Sequence, residues 1–204
     1  MLLDPLGRGL LLGFSIAAPV GPIGLLCIQR TLRSGRAAGL ATGLGAATAD
    51  ACYGLLGAVG ASSVAKALAS SQRWLGLLGA AWLAYFAVRS LRMAGQAATV
   101  AGTAGPTAWR SAYASALGLT LANPITILFF AAVFAGLGLS PGVANAGWLV
   151  LGVFLGSAAW WLLLSSVVAA LGHQLHPRSL RRIDLASGAL LLGFAAWALW
   201  KSLR

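Results

Sequence analysis

Acidic side chains are almost missing from this sequence: of 204 residues, only Asp4, Asp50 and Asp184 carry one. Histidine and cysteine are as scarce, with two of each, and charged residues of all kinds make up 8% of the chain. Each shortage excludes something. Hydrolysis inside a membrane needs a nucleophile with a base in reach, or paired acids, and only Asp50 lies deep in an apolar run. His173 and His176 form a His-x-x-His pair at the edge of such a run, with no cysteine or further carboxylate beside them to complete a metal site. Cys27 and Cys52 both fall inside apolar segments, where they act as small hydrophobes, not as a disulfide framework. The expectation is a protein that is not an enzyme and holds no resident cofactor or metal.

What the chain does contain is apolar surface. With 59% hydrophobic residues and a mean hydropathy of +0.87, it lies far outside the composition of a soluble domain. Apolar segments of roughly 20 residues match a hydrocarbon core about 30 Å thick, and six fit. They run from about Leu6 to Ile28, Ala38 to Ser62, Trp74 to Val88, Ala112 to Leu137, Ala146 to Leu171 and Ile183 to Trp200. The lipid bilayer is therefore the first partner implied. Arg8 and the apolar run ending in Ala17 and Ala18 faintly resemble a signal peptide, but continued apolarity beyond them favours a retained first span.

The net charge of +11 would suggest nucleic acid in a soluble protein. Here the basic residues sit between apolar runs, where they act as topology signals, so no nucleic-acid partner is expected. Arg30, Arg33, Arg36, Arg89, Arg92, Arg110, Arg178, Arg181 and Arg182 fall on one side. Arg8, Lys66, Arg73, Lys201 and Arg204 fall on the other. The richer side marks the cytoplasm and leaves both termini outside. Trp74, Trp109, Trp148 and Trp200 stand near span ends as interfacial anchors. The longest connection, Met93 to Trp109, is rich in Gly, Ala and Thr and reads as a linker between halves.

Those halves resemble one another. Gly13-Phe14-Ser15-Ile16-Ala17-Ala18-Pro19 matches Gly118-Leu119-Thr120-Leu121-Ala122-Asn123-Pro124 at Gly, Ala and Pro with the same spacing, and Arg89-Ser90-Leu91-Arg92 echoes Lys201-Ser202-Leu203-Arg204. Three spans per half is an odd number, so the second half enters the membrane from the opposite side. The predicted fold is an all-α integral membrane domain over 1–204, with six transmembrane helices as two inverted three-helix repeats. The repeats cover about 1–92 and 112–204, the linker about 93–111, and helices 1 and 4 are broken.

The breaks carry the chemistry. Proline removes a backbone donor and clashes with the preceding turn, so Pro19 and Pro22 interrupt the first span and Pro124 the fourth. Gly21-Pro22 and Asn123-Pro124 each put a cap-type residue before a proline, as at a fresh helix start. In an inverted pair both positive helix ends face the midplane, a natural seat for a carboxylate. Plain kinks used for packing are the competing reading.

Asp50 adds a deep acid, 14 residues past Arg36 and so about 20 Å along a helix. A charge there costs about 2.5–3.5 kcal/mol even on the lenient insertion scale. Gly43, Ala46, Ala47, Tyr53, Gly54 and Gly57 share its face, which turns the carboxylate into the bundle, away from lipid. It would exchange a proton or pair with a cationic substrate group, or else be satisfied by backbone donors at the break. Trp160 or Trp161 falls at the corresponding place in the second half, where an aromatic walls a cavity, stacks on a cation, or simply packs. Asp4 and Asp184, near the interfaces, are expected to be solvated. The pairs Gly9/Gly13, Gly39/Gly43 and Gly152/Gly156 favour close helix contacts, within one chain or in a homo-oligomer.

Ala18-Pro19-Val20-Gly21-Pro22, Gln29-Arg30, Gly35-Arg36-Ala37-Ala38-Gly39-Leu40, Ala49-Asp50, Leu121-Ala122-Asn123-Pro124 and Phe129-Phe130 together resemble the LysE-type amino-acid exporters. That resemblance implies a small carrier in the bacterial cytoplasmic membrane, exporting amino acids or related metabolites and driven by a proton gradient or the membrane potential. It implies substrate-binding positions at Pro19, Gly21, Pro22, Asp50, Asn123 and Pro124, with Tyr53, Trp160 and Trp161 as further candidates from the local reading. The wider superfamily includes metal-cation exporters and thiol-reductant shuttles. The shuttles need a reactive cysteine in each half, whereas Cys27 and Cys52 share the first. Export of another small solute or a metal cation, and a scaffold subunit that transports nothing, are the alternatives.

Overall fold

The computed structural model describes residues 4–19, 21–58, 72–94, 106–123, 126–127, 130, 143–172 and 177–203. Among the described residues there are seven helices and no strand. We number them α1 (Pro5–Ala17), α2 (Pro22–Ser34), α3 (Arg36–Ala58), α4 (Gln72–Ala94), α5 (Pro106–Leu121), α6 (Val143–Gly172) and α7 (Pro177–Leu203).

The first helix starts where the sequence supplies a cap. The Asp4 carboxylate accepts a hydrogen bond from the Gly7 N–H at 2.7 Å, and Pro5 takes the first helical position, where its missing donor costs nothing. It stops directly before Ala18-Pro19, and α2 begins at Pro22 with extended Gly21 as its cap. The two pieces meet at 78°, and only together are they long and apolar enough for one span. The expected break in the first span is therefore present. Gly35 joins α2 to α3 at φ 87°, a left-handed conformation that glycine adopts at no steric cost. Arg30 and Arg33 thus lie on α2 and Arg36 opens α3, where a basic connecting loop was expected.

A second interruption of the helical backbone follows α5. After α5 ends at Leu121, the Asn123 N–H bonds the Thr120 carbonyl at 3.1 Å, and the Asn123 carbonyl accepts from the Ile127 N–H at 3.2 Å. Asn123 thereby closes α5, and Thr126 and Ile127 beyond it are helical again; Pro124 lies outside the described residues. Helices α4 and α5 run into the expected linker from both sides, to Ala94 and from Pro106. Two helices are individually long and apolar enough to cross a membrane, over Asn145–Gly172 and Arg181–Trp200, with the bent α1–α2 pair as a third among the described residues.

The outer face is apolar, while the interior mixes apolar side chains with buried polar ones. Large apolar side chains such as Leu11, Phe14, Leu78, Trp82, Leu155 and Leu163 face outward, while Gln29, Thr42, Asp50, Ser90, Ser157 and Ser165 are buried. Lipid removes the hydrophobic drive between helices, so close backbone approach and interhelical hydrogen bonds hold the bundle together. The glycine pairs show the first device: a Cβ on Gly9 or Gly13 would strike the α6 backbone at Leu149 to Ser157, and one on Gly152 or Gly156 would strike α1. These contacts lie within one chain. Helix α1 packs along α6, α5 along α3, α3 against α6, and α4 against α7.

Two expectations are corrected. Asp184 is not solvated: it is 4% exposed and ion-paired with Arg33, whose Nε lies 3.1 Å from both carboxylate oxygens. The reason is packing, since α7 lies against both α4 and α2 and carries Asp184 into that crevice. Arg30 is no mere topology signal either. Its guanidinium donates to Thr42 Oγ1 (3.0 Å), the Ala112 carbonyl (3.0 Å) and Ser115 Oγ (2.8 Å), and sits 5.1 Å from the centre of the Phe86 ring.

Candidate functional site

A cavity of about 310 Å³ lies where the two breaks meet. Pro19, Gly21, Pro22, Ile23 and Gly24 contribute the first break, Thr120, Asn123 and Thr126 the second, and Asp50 and Trp161 the wall between them. Helix starts leave their first N–H groups without intrahelical partners. Pro22 has no N–H to offer, so Ile23 and Gly24 are the first-turn donors of α2, and both line the cavity. The Asn123–Ile127 bond sets the start of the second half-helix at the same cavity.

Asp50 is delivered by α3, one turn beyond the buried Ala46 and Ala47. It is 4% exposed, and its Oδ2 accepts a hydrogen bond from Ser157 Oγ on α6 at 2.7 Å. Trp161 Nε1 in turn lies 3.1 Å from the same Ser157 oxygen. An indole N–H can only donate, so the Ser157 hydroxyl accepts from Trp161 and spends its single proton on Asp50. The relay fixes the hydroxyl. It also holds the carboxylate at the cavity wall with no cation among its partners in the described residues.

Most of the expected set converges here: Pro19, Gly21, Pro22, Asp50, Asn123 and Trp161 all line one cavity. Tyr53 acts beside it, donating its hydroxyl to the Leu121 carbonyl at 2.5 Å and so supporting the end of α5 at the second break. Trp160 points elsewhere and meets Phe14 edge to face, with ring centres 5.4 Å apart. Pro124, His173 and His176 lie outside the described residues.

Comparison with known families decides what kind of protein this geometry belongs to: residues 14–202 match the family described as LysE type translocators. The chain belongs to that family. LysE-type membership makes it a membrane transport protein, and its helical fold and outward apolar face fit a bilayer. A candidate amino acid efflux protein of Bacillus subtilis, YcgF, is 28% identical over 189 residues, covering 91% of this chain and 90% of its own. A candidate amino-acid transporter of Aeromonas salmonicida, YggA, is 29% identical over 194 residues, 92% of each chain. The uncharacterized membrane protein PA4757 of Pseudomonas aeruginosa is 33% identical over 191 residues, covering 89% of this chain and 88% of its own. No solved structure matches this LysE-type chain.

Sequence reasoning missed Ser157, Thr120, Thr126 and Ser15. For two of them a signal existed: Ser15 and Thr120 occupy the same place in the repeated heptapeptide, so a hydroxyl stands before each break, and both line the cavity. Ser157 offered only its four-residue spacing from Trp161 on a small-residue face.

Proposed function

We propose that this LysE-type protein is a secondary transporter that exports an amino acid or a similar zwitterion across the bacterial cytoplasmic membrane. The observation that carries the reading is the convergence of two half-helix starts and one buried carboxylate on a single cavity. Helix starts attract a substrate carboxylate, while Asp50 suits an ammonium group or a coupling proton, so the cavity complements both ends of a zwitterion. Its volume of about 310 Å³ suits a small metabolite. The relatives named for amino acid efflux and transport point the same way.

The domain reading is one unit over 1–204 with repeats at about 1–92 and 112–204. The pairing of α1 with α6, and of α5 with α3, supports it, because a two-fold axis in the membrane plane would exchange those two contacts. Rocking of the repeats about the cavity would expose it alternately to each side, with the arginine-rich end cytoplasmic and both termini outside. Energy would come from a proton gradient or the membrane potential.

The test is efflux from loaded cells or vesicles across a panel of amino acids, dipeptides and Cd2+, with and without a pH gradient, for wild type and Asp50→Asn. Amino acid efflux that collapses in the variant supports the reading. Equal efflux from both removes Asp50 from the mechanism, and no efflux of any compound removes the transport reading altogether.

A further inference from the structure

A second cavity, of about 160 Å³, opens at the other end of α2. Gln29, Arg30, Arg33, Arg89, Ser111 and Asp184 are among its walls. Both cavities lie along α2, since Pro22 lines the first and Gln29 the second, seven residues and so about 10 Å apart along the axis. Buried Leu26 stands between them and lines the second.

The charges in this second cavity do not balance. Three arginines face one carboxylate, and Asp184 is already gripped by Arg33. The whole sequence holds only two other acids. Asp4 caps α1, and Asp50 is bound to Ser157 in the first cavity. Arg30 spends its guanidinium on two hydroxyls and a carbonyl, all neutral. Arg89 is exposed at the cavity edge. No internal acid remains to neutralise either, and a desolvated guanidinium favours a planar oxyanion, as the Arg33–Asp184 pair in the same cavity illustrates. Arginines serving only to orient the chain in the membrane would sit in water, yet Arg30 is half-buried among hydrogen-bonding partners from two other helices.

We propose that this cavity is a second binding site, for a carboxylate group, with Arg30 and Arg89 as its ligands. That the carboxylate belongs to the exported solute, making the cavity its docking station before the central one, rests on the transport reading above.

A local readout is available at Ser111, which is exposed on the cavity wall. In full-length protein carrying Ser111→Cys and Cys52→Ser, reconstituted in phosphatidylcholine vesicles, the thiol is labelled with an anionic and a cationic methanethiosulfonate. The anionic reagent should react about tenfold faster, the worth of one charge-assisted contact, and sodium acetate or glycine should slow it. Arg89→Gln, which breaks no hydrogen bond between helices, should erase both effects and raise the transport KM about tenfold with kcat kept. Arg30→Gln should do the same if the variant folds, but Arg89→Gln decides. Equal labelling by both reagents, or acetate protection that survives Arg89→Gln, overturns the proposal. Protection that appears only when phosphatidylglycerol replaces phosphatidylcholine assigns the cavity to a lipid phosphate and also overturns it. Acetate protection in the Ser111→Cys, Cys52→Ser protein, with no amino acid exported by the wild type, sinks the transport reading and leaves the carboxylate site standing.

Discussion

At the scale of single residues, the buried polar groups hold the strongest interactions because lipid offers them no alternative partner. Ser157 is the clearest case, as its one proton goes to Asp50 while its oxygen accepts from Trp161. Ser157→Ala should cost about 1–3 kcal/mol by leaving that carboxylate buried without its donor. The check is a lowered melting temperature in detergent together with reduced efflux. Adding Asp50→Asn should restore part of the stability, because neighbouring changes in one network do not add. Arg33 and Asp184 form the other test. Arg33→Gln strands a buried charge and should cost about 3–5 kcal/mol, whereas removing both charges together should cost less. If thermal melts place the double variant below Arg33→Gln, the ion pair is not what holds α7 to α2.

At the scale of elements, glycine has two distinct uses here. On α1 and α6, Gly9, Gly13, Gly152 and Gly156 let two backbones touch, so Gly13→Val or Gly152→Val must push the helices apart. Overpacking of this kind costs about 1–3 kcal/mol or more, and melting temperature or yield of folded protein in detergent would show it. Gly21 is different, since a Cβ there meets nothing within 4 Å and its φ of −111° suits any residue. Gly21→Ala should stay within about 0.5 kcal/mol of wild type. Any loss of transport in that variant then reports on the cavity mouth and not on packing. The breaks themselves were legible from Pro19, Pro22 and Asn123, because proline acts locally whatever surrounds it. The Arg30 contacts were not, since they depend on α3 and α5 arriving beside α2 from positions 12 to 85 residues away.

At the scale of the whole molecule, an apolar outer face surrounds two cavities strung along α2, and the proposed transport cycle rests on that arrangement. The exposed outer face of leucines and tryptophans suits lipid, and inside it buried Leu26 separates the arginine-lined cavity from the one that holds the central acid. The orientation proposed from charge can be checked directly. Alkaline phosphatase fused after Arg204 should be active in the periplasm, and the same reporter inserted after Gly35 should be silent. The opposite pattern would reverse the direction assigned to the carboxylate site without changing its chemistry.

Composition alone determined that this chain lives in a bilayer, and the residues at two breaks with one deep aspartate marked the lining of its central cavity. Those features act through the local backbone or through the cost of burying charge, which no distant contact can hide. Which side chains complete the site was decided by helix packing. Ser157 became the partner of Asp50, Trp161 rather than Trp160 turned toward the cavity, and Asp184 is buried against Arg33 because α6 and α7 bring those faces inward. A helix's rotation and neighbours are set by where its small residues let another backbone approach, and that is a property of pairs of helices, not of any one stretch of sequence.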